Sequence, residues 1–488
     1  MSDPKFIAIN LPNPPFYIVD REYAGGFGIA QYVGIRYNAK PALNLFLPYA
    51  AAVAKELGWN YRIIDAVALK LSPQEVLLKV EKENPTVILG MIGLPSFQHD
   101  VKLLNDIKEK NQDTIVAACG TICKVMPIKV LSSGKIDLIF RDDFPYIHNM
   151  ESLLINARVS RKFSFKGLSN VSFLQNGKVV NTPDEPHDNN LVRYIPIYDD
   201  LPLNRYDQFT DLEGNKRTTV PILVGVGCPH NCSYCPYPLG FGRKYSLKPP
   251  EKVADEVECL HNDKHVHAFI FRIQSLTLNK KWAEMLLKEL VNRKLDILWV
   301  CESRVDETSR GLLTLMEKAG CKRIHYGVET GDPQLIKIGK PNVNLMMIRK
   351  AFHLAKQNNI WTHAHMILGL PGENKQTLNT TSNFLIDLDP DSITLNFATP
   401  YPGTTLYEIA HKKNWIVVHD WAFYTSRYVV MKTDELSPQE LYKARAKIEK
   451  EFLKHKMRKL LLHPFKRNSL KLLTKYYAGR LLTETLHI

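Results

Sequence analysis

Long apolar runs are missing from this chain. No stretch reaches the roughly 18 residues that a membrane-spanning helix needs, and the opening MSDPKFIAIN lacks the basic-then-apolar order of a secretory signal. Cysteine is also scarce, with 8 in 488 residues, which argues against a disulfide scaffold. Together these absences predict a cytoplasmic protein. Acidic residues are short too: 50 Asp and Glu face 64 Lys and Arg, for a net charge of +14. The imbalance is local, because residues 441–480 hold 13 Lys or Arg against Glu449 and Glu451, an excess of 11. No nucleic-acid-binding module is recognisable, and the basic block is not interleaved with stacking aromatics, so no nucleic-acid partner is expected.

A length of 488 exceeds the size at which one core stops growing, which predicts two or three domains, and 45% hydrophobic residues suffice to pack them. Phe6–Asn10 reads as a short buried strand ended by Pro12 and Pro14. A loop with Gly25, Gly26 and Gly28 follows, and Pro41 then opens a helix-period segment to Gly58, with an expected kink at Pro48. Strands at 61–65, 86–90, 114–118 and 136–141 alternate with helices at 72–83 and 99–111. Five strands with intervening helices give an α/β, doubly wound (Rossmann-like) domain over residues 1–150. Such a domain binds ligands at the carboxyl ends of its strands, here the Pro12–Phe16 loop, Gly93–Ser96 and Cys119-Gly120-Thr121.

Residues 151–215, with turn signals at Asn176-Gly177 and Pro183–Pro186, read as a connector. Six further strands, at 220–226, 268–273, 297–301, 324–327, 361–367 and 392–398, alternate with helices over residues 216–410 and predict a partial (β/α)6 barrel. From 411 to 488 the pattern turns helical, with Ser437-Pro438-Gln439-Glu440 as a helix start whose acidic third position can cap it.

The strand at 220–226 delivers the most informative stretch, Gly227-Cys228-Pro229-His230-Asn231-Cys232-Ser233-Tyr234-Cys235. Three cysteines spaced four and then three apart can close on one small inorganic cluster. A [4Fe-4S] cluster normally takes four thiolates, so three leave one iron free for a ligand that must react. Tyr234 is placed to lay its ring against a purine. A structural zinc site is the competing reading, with His230 the near candidate for a fourth ligand, although such sites usually show paired C-x-x-C units. His99, Cys119 and Cys123 read as structural residues, the cysteines as small buried side chains at a strand end.

The pattern C-x-x-x-C-x-aromatic-C resembles the signature of radical S-adenosylmethionine (radical SAM) enzymes. The domain ahead of it, with its glycine loop at 25–28, Pro41, Arg62-Ile63-Ile64-Asp65 and Gly120-Thr121, resembles the cobalamin-binding domain of the cobalamin-dependent members. The resemblance implies three cofactors: a [4Fe-4S] cluster on Cys228, Cys232 and Cys235, S-adenosyl-L-methionine, and cobalamin. Cofactor contacts implied on the barrel are Tyr234, Glu302, Arg304, Glu329, Gly369 and Gly372; on the N-terminal domain they are Ser96, Gly120 and Thr121. The chain departs from the family pattern in lacking Asp-x-His-x-x-Gly, so cobalt is expected to have no protein nitrogen ligand. It also carries Cys119 where glycine is frequent, and Ile273 and Gln274 where relatives often have paired aspartates and a phenylalanine.

The implied activity is C-methylation of an unactivated carbon through a 5'-deoxyadenosyl radical and methylcobalamin. Ring formation or rearrangement without methyl transfer is the alternative enzyme reading, and a non-catalytic metal-binding scaffold is the alternative of another class. Implied partners are a small-molecule or lipid-like substrate and an electron donor such as flavodoxin or ferredoxin. The basic segment 443–467 reads either as a solvated helical face, with Ile448, Phe452, Met457, Leu460 and Leu461 packing inward, or as a peripheral attachment to anionic lipid beside Leu460, Leu461, Leu462 and Phe465.

Overall fold

The structure, a computed structural model, describes residues 4–15, 17–32, 40–159, 165, 167–185, 193–210 and 216–462. Its first sheet has seven strands. Five are parallel, in the spatial order Asn60–Asp65, Lys5–Asn10, Val87–Met91, Ile115–Cys119 and Leu138–Phe140. Helices cover both faces, so the Val87–Met91 and Ile115–Cys119 strands are buried at every residue and their sequences are near-continuous apolar runs. The Phe46–Glu56 helix begins five residues after Pro41, and Pro48 lies in its first turn, where no backbone donor is needed, so the expected kink is absent. The expected connector contributes more than loop. Val171–Gln175 and Lys178–Asn181, turning at Asn176-Gly177, add two antiparallel strands to the edge of this sheet.

The strand order reverses between Lys5–Asn10 and Val87–Met91, and a crevice at such a reversal is where doubly wound folds seat ligands. Here the chain fills it with its own polar groups. Arg21 and Asp100 are fully buried and paired at 2.6 Å. Arg21 also donates to Asn10 Oδ1 (3.1 Å), the Leu11 carbonyl (2.7 Å) and the Pro12 carbonyl (3.2 Å). Asp100 accepts from Ser96 Oγ at 2.6 Å and from the Gly93 amide at 3.0 Å. Asn10 passes the network on to Asp65 (2.9 Å), which also accepts from Tyr206 Oη at 2.7 Å. Burial alone would raise the Asp100 carboxyl, but Arg21, His99 and Ser96 together outweigh it and hold the group below the usual range.

The second sheet places its parallel strands in sequence order: Lys216–Leu223, Ala268–Arg272, Leu298–Ser303, Cys321–Glu329, Trp361–Leu368 and Ser392–Phe397. An unbroken order of this kind, with a helix returning after each strand, curls a sheet toward a barrel with one concave face. A short antiparallel strand, Gln208–Thr210, extends its leading edge.

The Pro438–Leu462 helix starts at Ser437, whose backbone N–H is accepted by Glu440 Oε2 at 2.9 Å. It buries Ile448 and Phe452. Asp389, at the end of the Lys375–Leu388 helix, gathers Lys456 (2.6 Å), His455 (3.1 Å), Lys356 (3.2 Å) and Lys459. Part of the basic block is therefore spent on pinning this helix to the barrel, together with Lys447 on Asn379 at 2.9 Å. Leu460–Leu462 as side chains, and Phe465, on which the lipid reading leaned, lie outside the described residues. No helix among the described residues is long and apolar enough to cross a membrane.

Removing Arg21 leaves a buried carboxylate without its cation, which costs about 3–5 kcal/mol. Arg21→Met should therefore lower the urea midpoint of the N-terminal sheet strongly, and Arg21→Met/Asp100→Leu should recover much of the loss. An Arg21→Met protein of wild-type stability would show that the network is not what closes the crevice.

Candidate active site

The three cysteines sit on the loop leaving the first barrel strand, at the carboxyl end where barrels place chemistry. The Cys228 amide donates to the Gly242 carbonyl at 3.0 Å, the Cys235 amide to the Cys232 carbonyl at 3.1 Å, and Leu406 N to the Ser233 carbonyl at 2.9 Å. Burial pushes all three thiols up, Cys235 to about 12, and cations at Lys340 and Arg304 act the other way on Cys232. Such thiols ionise when a metal centre supplies the positive charge. His230 is turned away toward Glu307, at 3.6 Å. Among the described residues no three Cys, His, Asp or Glu side chains converge on a single-ion position. The donor set fits a multi-iron cluster, whose thiolates bind separate metals, better than a four-coordinate zinc.

Residues expected near this loop divide into two groups. Tyr234 packs its ring against Gly339 (3.1 Å to a Cβ placed there), and Glu329 stands beside it, paired with Lys340 at 2.7 Å. Lys340 also donates to the Gly327 carbonyl at 2.6 Å. Arg304 does not pair with Glu302; it is held by Asp306 at 2.8 Å and Glu307 at 3.5 Å. Glu302 faces the lumen near Arg272, whose guanidinium lies 4.6 Å from the Tyr23 ring centre. Gly369 and Gly372 adopt left-handed backbone in a turn closed by the buried Glu373 carboxylate, and a Cβ on either would meet Leu441 or Leu335.

Ser96 and the adjacent pair Gly120-Thr121 each make their contacts within or beside the first sheet. Ser96 is committed to Asp100. Gly120 closes against the Ile92 carbonyl, and Thr121 Oγ1 donates to the Gly25 carbonyl at 2.6 Å. That last contact ties the glycine loop to the first sheet, and the glycine loop in turn meets the second half. A Cβ on Gly25 would stand 2.5 Å from the Pro236 carbonyl, and one on Gly240 would stand 2.1 Å from the Gly25 carbonyl oxygen and 2.2 Å from Thr121 Oγ1. The glycine loop is thus wedged between the first sheet and the Tyr237–Phe241 helix that follows the cluster loop.

Two adjoining cavities result. The smaller, of about 170 Å³, is lined by Cys235, Tyr237, Ile273 and Gln274, and the larger, of about 1330 Å³, lies between the barrel lumen and loops at the carboxyl ends of the first sheet. Tyr23, Arg272 and Glu302 line both. A drug-sized ligand takes roughly 300–1,000 Å³, so the larger chamber has room for a macrocyclic cofactor or more than one molecule. The part of its wall supplied by residues 20–70 includes no histidine among the described residues.

Sequence reasoning missed the histidines of the opposite wall. His325 and His363 are cross-strand neighbours with ring centres 4.6 Å apart, and His365 lies 4.5 Å from His363 and 5.4 Å from His325. The signal was His363-Ala364-His365 in an apolar run, because period-two spacing puts both rings on one face of a strand.

A family model described as the Radical SAM superfamily matches residues 222–385. An uncharacterised methyltransferase of Pyrococcus horikoshii is 27% identical over 413 residues, covering 82% of this chain and 85% of that protein. The anaerobic magnesium-protoporphyrin IX monomethyl ester cyclase of Rubrivivax gelatinosus is 28% identical over 431 residues, covering 87% of this chain and 74% of the cyclase. The radical S-adenosylmethionine methyltransferase TsrM of Kitasatospora setae, solved with cobalamin and a [4Fe-4S] cluster bound, shares the fold with a TM-score of 0.68 at 15% identity, over 92% of this chain and 91% of that one. The fold and the three-cysteine loop define a radical SAM enzyme. Residues 222–385 carry the radical SAM match, and the fold around them is the one seen in solved cobalamin-dependent radical SAM enzymes.

Gly240→Ala forces the Gly25 backbone and Thr121 away from the helix, an overpacking cost of about 1–3 kcal/mol. Gly311→Ala, where nothing outside its own helix segment lies within 4 Å of the new Cβ, is the control and should be neutral or slightly stabilising. Thermal unfolding and limited proteolysis check both; equal behaviour of the two variants contradicts the wedge.

Proposed function

We propose that the protein is a cobalamin-dependent radical SAM C-methyltransferase. The observation that carries this reading is the position of the three-cysteine loop, at the mouth of a barrel whose lumen opens onto a large chamber roofed by a doubly wound domain. Cys228, Cys232 and Cys235 would hold the cluster by three irons and leave the fourth open. Tyr234, Glu302, Arg304 and Glu329 surround the space beside it and are assigned to S-adenosylmethionine, with Lys340 balancing Glu329 and Asp306 orienting Arg304. The Gly369–Gly372 turn, fixed by Glu373, is assigned to the nucleoside side of the same ligand. Ser96, Gly120 and Thr121 would shape the cobalamin seat through the packing of the first sheet, their side chains being already bonded. Bound cobalamin would supply a methyl carrier. Ile270 and Val300 give the barrel side of the chamber an apolar stretch, which disfavours water beside a reactive radical.

The similarity to the cyclase over 87% of the chain favours a second reading, ring formation on the same scaffold. Deuterated-methyl S-adenosylmethionine separates the two, since only methyl transfer carries the label into product. Both readings require an electron donor of the flavodoxin or ferredoxin kind and a small-molecule substrate in the cytoplasm. A lipid surface is a weaker partner, given the cations spent on Asp389.

Cys228→Ala, Cys232→Ala and Cys235→Ala should each lose the bound iron and abolish release of 5'-deoxyadenosine under reductant, measured by iron content and chromatography. Full activity in any one of them would sink the three-cysteine assignment, and with it the enzyme reading. Wild-type protein should bind hydroxocobalamin in near-equal amount, and its Co(II) resonance should lack nitrogen splitting from histidine. A split signal would contradict the seat described here.

A further inference from the structure

Two features of the large chamber have no part in the chemistry above. The first is charge. Its lining includes six cations, Lys40, Lys70, Arg205, Lys216, Arg272 and Arg427, against three carboxylates, Asp20, Asp207 and Glu302. Of the three, Glu302 lies against Arg272 and Asp20 accepts the Ala42 amide at 3.1 Å, so the wall as a whole is positive. The second is the histidine cluster. His363 is fixed on both ring nitrogens, by Ser392 Oγ at 2.7 Å and Thr394 Oγ1 at 2.9 Å. It forms a rigid floor under His325 and His365, which line the chamber.

Among the described residues the buried Nε2 of His325 meets no hydrogen-bond partner. A buried polar nitrogen left unpaired costs about 1–3 kcal/mol, and such a group beside a cavity is satisfied when a ligand brings the partner. Burial holds both rings below the usual histidine range, so each is neutral and able to donate one N–H. Between the cations and these rings the wall is apolar, with Ile29, Pro41, Ala42, Ala68, Ile270 and Val300.

We propose that His325 and His365 form a subsite for an oxyanion, a carboxylate or a phosphate, carried by a substrate with a largely apolar body. The positive wall draws the anion in, the imidazoles fix it, and the apolar stretch covers the rest of the molecule. His363 is a positioning residue that sets the ring planes of the other two. This rests on the chamber being the substrate chamber of the proposed enzyme, but binding is measurable without turnover.

The test uses protein loaded with cluster and cobalamin, titrated by fluorescence anisotropy with 1-pyrenebutyrate and 1-pyrenebutanol, which share an apolar body and differ in the anion. Wild type should favour the butyrate by about tenfold or more, the scale of one charge-assisted hydrogen bond. His325→Leu/His365→Leu should lose most of that preference while its cobalamin absorption stays unchanged. His325→Gln, which keeps a hydrogen-bonding amide, should retain most of the preference and covers the case of a double variant that fails to load. Tighter binding of 1-pyrenebutyl phosphate than of the butyrate identifies a phosphate, and the reverse order a carboxylate. Equal affinity of the butyrate and butanol in wild type, or a preference that survives the double variant, overturns the proposal. Loss of S-adenosylmethionine cleavage in the wild type would instead strike the enzyme reading alone.

Discussion

Two backbones in direct contact fix the relation between the sheets. With no side chain at Gly25 or Gly240, the loop after the first strand reaches the helix behind the cluster loop, and Thr121 ties that loop back to the first sheet. A methyl group at either glycine would stand 2.1–2.5 Å from a carbonyl, far inside van der Waals contact, so the approach leaves almost no slack. Everything functional follows from this closeness. It sets the carboxyl ends of both sheets face to face, places Cys235 against the smaller cavity, and lets Tyr23 from one half stack on Arg272 from the other.

The crevice that a doubly wound sheet usually offers at its strand-order reversal is closed by Arg21, Asp100, Asn10 and Asp65, all satisfied by one another. Ligand space has moved as a result to the outer side of those loops, where Ala42, Ala68 and Lys70 face the barrel. Buried charge is worth its desolvation here because each oxygen of Asp100 has a donor. At the other end of the molecule the same logic recurs at Asp389, which takes up several cations of the C-terminal block and converts an apparent surface charge into a docking contact.

Much of this was legible in the chain. Parallel strands buried on both faces leave continuous apolar runs such as Phe6–Asn10 and Val220–Leu223, and the three-cysteine spacing marks its chemistry locally. What stayed hidden depends on residues far apart in sequence. The role of Ser96 could not be read without Asp100 and Arg21, whose 79-residue separation carries no local signal. The partners of Arg304, Asp306 and Glu307, come from the 3-10 turn that follows it, which the sequence pattern did not mark. The hairpin at 171–181 was missed because its edge strands are short and half exposed, so their alternation is weak. The histidine cluster spans two strands and forms only when His325 and His363 fall into register.

The central claim is that the cobalamin seat and the cluster face adjoining cavities of one site. Pulsed electron paramagnetic resonance on protein holding Co(II) cobalamin and the reduced cluster together tests it most directly. The account predicts dipolar coupling that broadens both signals relative to protein carrying either centre alone. Two signals that superimpose on those of the singly loaded proteins would contradict it.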